Sequence, residues 1–216
     1  MLVAGAGGFA KEIAAVICQN NADEAMVFYD DINHNAPEYL FNNYPVLRTS
    51  EDARNYFIKK DIRFVLGLGN PVFRCKMAEK FKNLGGKLST VFSSTARVGR
   101  FGNVIGEGVS IMNNVVIEAD NIIGTGCLIH NAAFISHDVR IGSFCEISPC
   151  VNLLGNAETG NFCSIGTGAT ILPKIKIGNN VVIGAGAVVT KDIPDNSLAF
   201  GMPATIIKSL DPLTFE

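Results

Sequence analysis

The chain is poor in the residues from which several kinds of function are built. Its three histidines, His34, His130 and His137, are too few and too scattered for a zinc site, which needs several ligands converging on one point. There is no run of Lys and Arg, and 18 basic residues stand against 20 acidic ones for a net charge of −2. The basic footprint of a nucleic-acid binder is therefore missing. No apolar stretch approaches the ~18 residues of a spanning helix, although the mean hydropathy is high at +0.27. The opening MLVAGAGG has neither a basic leader nor a cleavage pattern, so a cytoplasmic location is expected. Six cysteines are present, but Cys145 and Cys150 do not make a C-x-x-C pair. Cys127, Cys145 and Cys163 lie eighteen apart, a spacing that predicts small stacked core residues in a reducing compartment.

What the chain does have is a beat of six. Steps of six from Ile105 reach Ile111, Ile117, Ile123, Ile129, Ile135, Ile141, Ile147, Leu153, Thr159, Ile165, Ile171, Ile177, Ile183 and Val189, with Thr159 alone not aliphatic. Four residues after each mark the position is mostly small or branched, Asn121 being polar. A second period lies over the first: Gly106, Gly124, Gly142, Gly160 and Gly178 recur every eighteen residues. Three sixes make one coil, the pattern of a parallel β-helix with a short strand and a corner per six residues. Its aliphatic rungs are expected to stack at roughly 4.8 Å per coil. Val98 to Ile105 is seven rather than six, so the register starts irregularly. The boundary is placed there, giving a first domain over 1–94 and a β-helix with a C-terminal extension over 95–216.

The first ninety residues read differently. MLVAGAGGFAKEIAAVICQN predicts a short strand, a glycine turn and an amphipathic helix with Ile13, Val16 and Ile17 inward. Glycines at such a turn let a phosphate or ribose approach backbone N–H groups; a tight turn with no ligand would look the same. AMVFYDD predicts a strand ending in Asp30 and Asp31, which either accept hydrogen bonds from a nucleotide or are simply solvated. Thr49 or Ser50 is expected to cap a helix over 51–60, and Asn70 one that begins at Pro71. KLSTVF is read as a last strand. The result is a small parallel α/β domain, Rossmann-like, with Gly7, Gly8, Asp30, Asp31 and Gly69 along one edge; His34 falls in this domain.

The β-helix places His137. Being two after the inward Ile135, it lies on an outward corner, with Ala119, Gly155 and Pro173 stacked in line with it and Asn131, Pro149, Thr167 and Ala185 on another edge. Gly155, one coil away, is expected to leave open space beside the imidazole, and the small residues would admit a long, thin ligand. A solvated histidine with no role fits the same periodicity.

Together, GAGGFAKEI, the acids at 30 and 31, GLGNPVFR, ISHDVRIGSFCEISP, LLGN and IGAGAVVTKDIPDNSLAFGMPA resemble the bacterial hexapeptide acetyltransferases that modify nucleotide-linked 4-amino sugars, grouped with sialic-acid O-acetyltransferase-like proteins. The resemblance implies a left-handed helix, a homotrimer, and an active site between neighbouring prisms. It implies His137 as general base with Asp138 orienting it. Gly155, Thr167, Ala185 and the position of Glu146 would contact acetyl-CoA, and Gly7, Gly8, Phe9, Asp30, Asp31 and Gly69 the nucleotide sugar. Glu146 stands where some relatives have a second histidine nine residues after the base, and Phe9 where some members have a histidine. The first strand begins abruptly at Met1, so the natural start is expected a few residues upstream.

The chemistry agrees with that family: an imidazole titrates near neutral pH and can take the proton an amine loses as it attacks a thioester. The expected activity is acetyl transfer from acetyl-CoA to the 4-amino group of a nucleotide-linked dideoxy sugar, with no metal and no nucleic-acid partner. O-acetylation of a sugar of the sialic-acid type and a non-catalytic sugar-nucleotide scaffold are the alternatives. An NAD-dependent dehydrogenase fits less well, for want of a second α/β half after residue 94.

Overall fold

The structure, a computed structural model, describes residues 1–33 and 37–214; His34 lies outside them. The α/β part opens with β1 (Leu2–Ala4) and α1 (Gly8–Asn20), then β2 (Val27–Tyr29), β3 (Tyr39–Leu40), β4 (Tyr44–Leu47), α2 (Ser50–Lys59), β5 (Arg63–Leu66), α3 (Pro71–Asn83) and β6 (Lys87–Leu88). The strands form one sheet in the order β3-β4-β2-β1-β5-β6. It is parallel except for β3, which runs antiparallel to β4, a hairpin the sequence reading did not anticipate. The helices begin where expected: the Thr49 side chain accepts from the Asp52 amide, and Asn70 accepts from Val72 and Phe73 ahead of Pro71 at the first helical position. α1 buries Ala10, Ile13, Ala14, Val16 and Ile17. It comes so close to the sheet that a Cβ on Gly67 would sit 2.9 Å from that of Ala10, so glycine is required there.

KLSTVF is not one strand. Lys87–Leu88 closes the α/β sheet by pairing with β5, whereas β7 (Val91–Phe92) pairs with Ser110–Ile111 and starts the β-helix. The chain thus changes sheets between Leu88 and Val91. From β7 onward, two-residue strands stack into three parallel faces. The first face runs β7, Ser110–Ile111, Leu128–Ile129, Glu146–Ile147, Ser164–Ile165, Val182–Ile183, then the terminal hairpin Ser197–Gly201 and Ala204–Ser209. The second face contains Phe134–Ile135 and Asn152–Leu153, and the third Ile122–Ile123 and Arg140–Ile141.

Both sequence periods have a visible cause. The second residue of nearly every corner is left-handed, as at Asn114 (φ 58), Asp120 (φ 61), Ala132 (φ 59) and Asp138 (φ 58), a conformation that glycine, Asn and Asp adopt most readily. The eighteen-residue glycines stack at the corner between third and first faces, where a Cβ on Gly142 would lie 2.4 Å from the backbone of Gly160. Inside, Cys127, Cys145 and Cys163 stack fully buried, and all six cysteines are unpaired. Asn121, also fully buried, uses its Oδ1 to accept the Val139 amide at 2.8 Å.

The two parts share a core. Met112 and Leu128, on outward positions of the first face, pack with Val3, Ile13 and Phe28 of the α/β domain. The α/β domain therefore covers the early coils of the first face and leaves the opposite corner, between second and third faces, in solvent.

Candidate active site

His137 and Asp138 occupy that opposite corner, between Phe134–Ile135 and Arg140–Ile141. The His137 Nδ1 is 2.8 Å from Asp138 Oδ2, and both side chains are more than half exposed, at 61% and 52%. The left-handed φ of Asp138 turns its carboxylate back toward the ring. With Nδ1 occupied by the acid, Nε2 is the nitrogen left for chemistry.

Gly155 does not leave open space beside the imidazole, as the sequence had suggested; the imidazole fills that space. A Cβ there would be 2.7 Å from His137 Cε1 and 2.8 Å from Nε2, so the glycine lets the ring lie over the next coil. Gly155→Ala is expected to displace the imidazole and lower kcat at least about tenfold, with little change in thermal midpoint because the ring that must give way is exposed and can swing into solvent. Steady-state kinetics beside a melting curve check this; unchanged kcat would show that the ring position is immaterial.

Thr167 and Ala185 sit on a different corner, between first and second faces, followed by the left-handed Gly168 and Gly186, above which a side chain would meet nothing within 4 Å. They share the second face with His137 as a common border but not its corner, so one chain does not bring them to the base. Glu146 is further off, on the first face.

At the carboxyl ends of β1, β2 and β5 lies a cavity of about 550 Å³, lined by Gly7, Asp30, Asp31, Phe73, Lys76 and Lys80 among others. Asp31 is held by Lys80 at 2.5 Å and by the Tyr29 hydroxyl at 2.9 Å. Partial burial raises its pKa, but the hydrogen bonds from Lys80 and Tyr29 and the lysine charge outweigh this, and the net shift is downward. Asp30 instead accepts the amides of Ile32 and Asn33 through Oδ1, and Arg48 donates to its carbonyl at 3.3 Å. Of the residues expected at the nucleotide, Gly7, Asp30 and Asp31 line this cavity. Gly8, Phe9 and Gly69 do not: the Phe9 ring packs edge-on against His130, centroids 5.0 Å apart, and Gly69 faces Glu146.

Sequence reasoning missed Lys80, Phe73, Arg74 and His130. Lys80 and Phe73 carried a signal, since both follow the Asn70-Pro71 cap on a helix that starts at a strand's carboxyl end. Arg74 carried none. It is 1% exposed and donates to four carbonyls, those of Gly69, Gly126, Phe144 and Cys145, and so ties α3 to the β-helix. Burial, with the Arg74 charge adding to it, lowers the His130 pKa to about 4. Burial raises that of Glu146, against the pull of Arg74.

The His130 shift has a consequence for stability. A histidine whose folded pKa lies below its unfolded value binds fewer protons folded than unfolded, so its contribution is present above about 6.5 and is lost as pH falls from there toward 4. The loss is on the order of 3 kcal/mol. The thermal midpoint of the wild type should therefore drop across that window, and His130→Gln should flatten the drop; parallel pH profiles for the two proteins would refute it.

A stack of hexapeptide coils with a hydrogen-bonded His–Asp corner, joined to an α/β domain with a cavity at its strand ends, defines the class of the hexapeptide acyltransferases. A family model described as PglD N-terminal domain matches residues 1–81, and one described as bacterial transferase hexapeptide (six repeats) matches 156–191. No curated protein sequence matches the chain. Among solved structures, the acetyltransferase domain of PglB from Neisseria gonorrhoeae FA1090 is 31% identical over 95% of this chain and 98% of that one, with a TM-score of 0.87. A histidine-to-asparagine mutant of perosamine N-acetyltransferase from Caulobacter crescentus, in complex with CoA and GDP-perosamine, is 28% identical over 96% of both chains, with a TM-score of 0.87. WeeI from Acinetobacter baumannii AYE is 27% identical over 95% of this chain and 98% of that one, with a TM-score of 0.85. The chain belongs to this family of nucleotide-sugar N-acetyltransferases, with their left-handed parallel β-helix. Among the described residues, no helix is long and apolar enough to cross a membrane, and no group of side chains is arranged to hold a metal ion.

Proposed function

We propose that the protein transfers the acetyl group of acetyl-CoA to the 4-amino group of a nucleotide-linked 4-amino-4,6-dideoxy sugar. The observation that carries this reading is the His137–Asp138 pair at 2.8 Å on a solvent-facing corner. It is supported by the cavity at the strand ends and by relatives solved with CoA and GDP-perosamine or with acetyl coenzyme A. Asp138 accepts a hydrogen bond from the Nδ1–H of His137 and fixes the tautomer, so that Nε2 takes the proton from the amine as its nitrogen attacks the thioester carbon. A C–N bond forms, the C–S bond breaks, and the sulfur leaves as CoA. No acyl-enzyme is needed.

The reading calls for more than one copy of the chain. The cavity is lined by residues of the α/β domain, which packs on the first face, whereas His137 projects from the opposite corner. In a homotrimer, the His137 corner of one copy would meet the Thr167 and Ala185 corner of the next, and the thin cofactor would run between them beside Gly155. A solution mass three times the 23.1 kDa chain is expected. Acetyl-CoA as donor, together with the unpaired thiols, fits a cytoplasmic enzyme.

The test is acetyl-CoA consumption against UDP-, dTDP- and GDP-linked 4-amino sugars. Turnover with one nucleotide, giving a product that survives mild base as an amide does, is expected. Silence across the panel, or a base-labile ester, would overturn the reading.

A further inference from the structure

The loops that line the nucleotide cavity continue onto the first face of the β-helix, where they meet a polar patch that the base and the cavity leave unexplained. Gly7 and Leu68 line the cavity. Two residues beyond Gly7, Phe9 rests on His130. One residue beyond Leu68, Gly69 stands against Glu146, whose Oε1 would lie 3.8 Å from an added Cβ. His130 and Glu146 are on adjacent coils of one face: Leu128 pairs with Glu146, and the His130 amide donates to the Ile147 carbonyl at 2.8 Å.

Among the described residues, neither side chain has a hydrogen-bond partner. The His130 Nδ1 is buried without a hydrogen bond, the Glu12 carboxylate being 4.0 Å away. Among the described residues no donor bonds the Glu146 carboxylate, and Arg74, close enough for its charge to act on both groups, has turned its N–H groups to carbonyls instead. A buried polar atom is costly to leave unpaired, and a bound ligand would satisfy the His130 Nδ1, with the half-buried Glu146 carboxylate beside it free to accept from the same ligand. Between the cavity and Phe9 the chain is uncrowded: a Cβ added at Gly7 or Gly8 would meet nothing within 4 Å.

We propose that His130 and Glu146 form the wall that recognises the acceptor sugar, Glu146 accepting a hydrogen bond from a hydroxyl or acetamido N–H beside the reacting amine and His130 pairing with a neighbouring polar substituent. This rests on the nucleotide-sugar reading above. It makes Glu146 a residue of sugar recognition rather than a cofactor contact, and it names the acceptor as a sugar with a hydrogen-bonding substituent next to its amine. The neutral state of His130 at pH 7 suits the role, since it keeps one ring nitrogen as an acceptor.

The test uses the full chain and the nucleotide amino sugar that the wild type turns over best. KM for that sugar, KM for acetyl-CoA and Kd for the bare nucleoside diphosphate are measured for wild type, Glu146→Leu, Glu146→Gln and His130→Phe. His130→Phe keeps an aromatic ring against Phe9, and the side chain of Glu146 is partly exposed, so the variants are expected to fold, which melting curves verify. The expected result is a rise of about tenfold or more in KM for the sugar with Glu146→Leu and His130→Phe, partly restored in Glu146→Gln. KM for acetyl-CoA and Kd for the nucleoside diphosphate should stay within about twofold, the range of a lost surface contact. A rise in KM for acetyl-CoA alone, or no change in any of the three, overturns the proposal while leaving the enzyme's activity standing. A wild type inactive on every sugar overturns the functional reading and this inference with it.

Discussion

His137→Ala is expected to lower kcat by about 10²- to 10⁴-fold, the usual contribution of a positioned general base, while leaving the thermal midpoint nearly unchanged. The two halves of this expectation have separate causes. The ring is 61% exposed, so its removal opens no cavity and unpairs no buried group. Among the described residues its side-chain hydrogen-bond partner is Asp138, itself half in solvent. An amine bound beside the thioester but offered no acceptor must lose its proton to water, at a far higher barrier. Asp138→Asn should cost less than His137→Ala, because the imidazole remains but its tautomer is no longer fixed by a carboxylate. Asparagine tolerates the left-handed backbone at 138 (φ 58), so this variant separates charge from strain. Single-turnover acetylation with saturating acetyl-CoA measures both. Retention of more than about a tenth of the wild-type rate in His137→Ala would remove it from the chemistry.

Arg74→Met is expected to cost about 3–5 kcal/mol of stability, the range for breaking a buried charged network. The guanidinium donates from Nε to the Gly126 carbonyl at 3.0 Å, from Nη2 to those of Phe144 at 2.9 Å and Cys145 at 2.8 Å, and from Nη1 to that of Gly69. Methionine fills much of the volume and supplies none of these donors, leaving carbonyls from three separate segments unpaired at the junction. Arg74→Lys should restore little, since an ammonium on a flexible stem cannot span acceptors laid out for a planar fork. Because the arginine belongs to the α/β domain and most of its acceptors to the β-helix, the variant should also split unfolding into two transitions, the α/β part melting first. Denaturant titration followed by both far-UV signal and aromatic fluorescence detects the split. A loss under about 1 kcal/mol with one cooperative transition would mean that the apolar contact of Met112 and Leu128 holds the parts together unaided.

How much of this was legible in the sequence depends on whether a feature repeats. From Val104 to Val189 the beat of six placed the strands of the stack to within a residue, because every coil solves the same problem: an inward aliphatic, a left-handed corner, and a glycine wherever corner backbones approach too closely for a Cβ. The same arithmetic put His137 on an outward corner above Gly155. Helix starts at Thr49 and Asn70 were equally readable, since a cap is a local bargain between a side chain and the amides two or three residues on.

The features that did not repeat were not readable. KLSTVF has the composition of one strand, yet Leu88 and Val91 belong to different sheets, a choice made by partners far along the chain. Periodicity treats the three faces of the prism alike, and so could not say which one the α/β domain covers. A trace of the answer was present, in that Met112 and Leu128 put apolar side chains on outward positions of one face. The position of Glu146 followed from that choice: nine residues after the base in sequence, it lies on the face across the prism from His137, against Gly69 and near Arg74. By itself, then, the sequence determined the α/β order apart from the β3–β4 hairpin, the β-helix and the outward His–Asp corner, because these arise from interactions within one hexapeptide, one coil or one helical turn. Only the tertiary structure decided which face is covered, where Arg74 finds its acceptors and which side chains lie beside the cavity, because those depend on contacts more than fifty residues apart that no local pattern encodes.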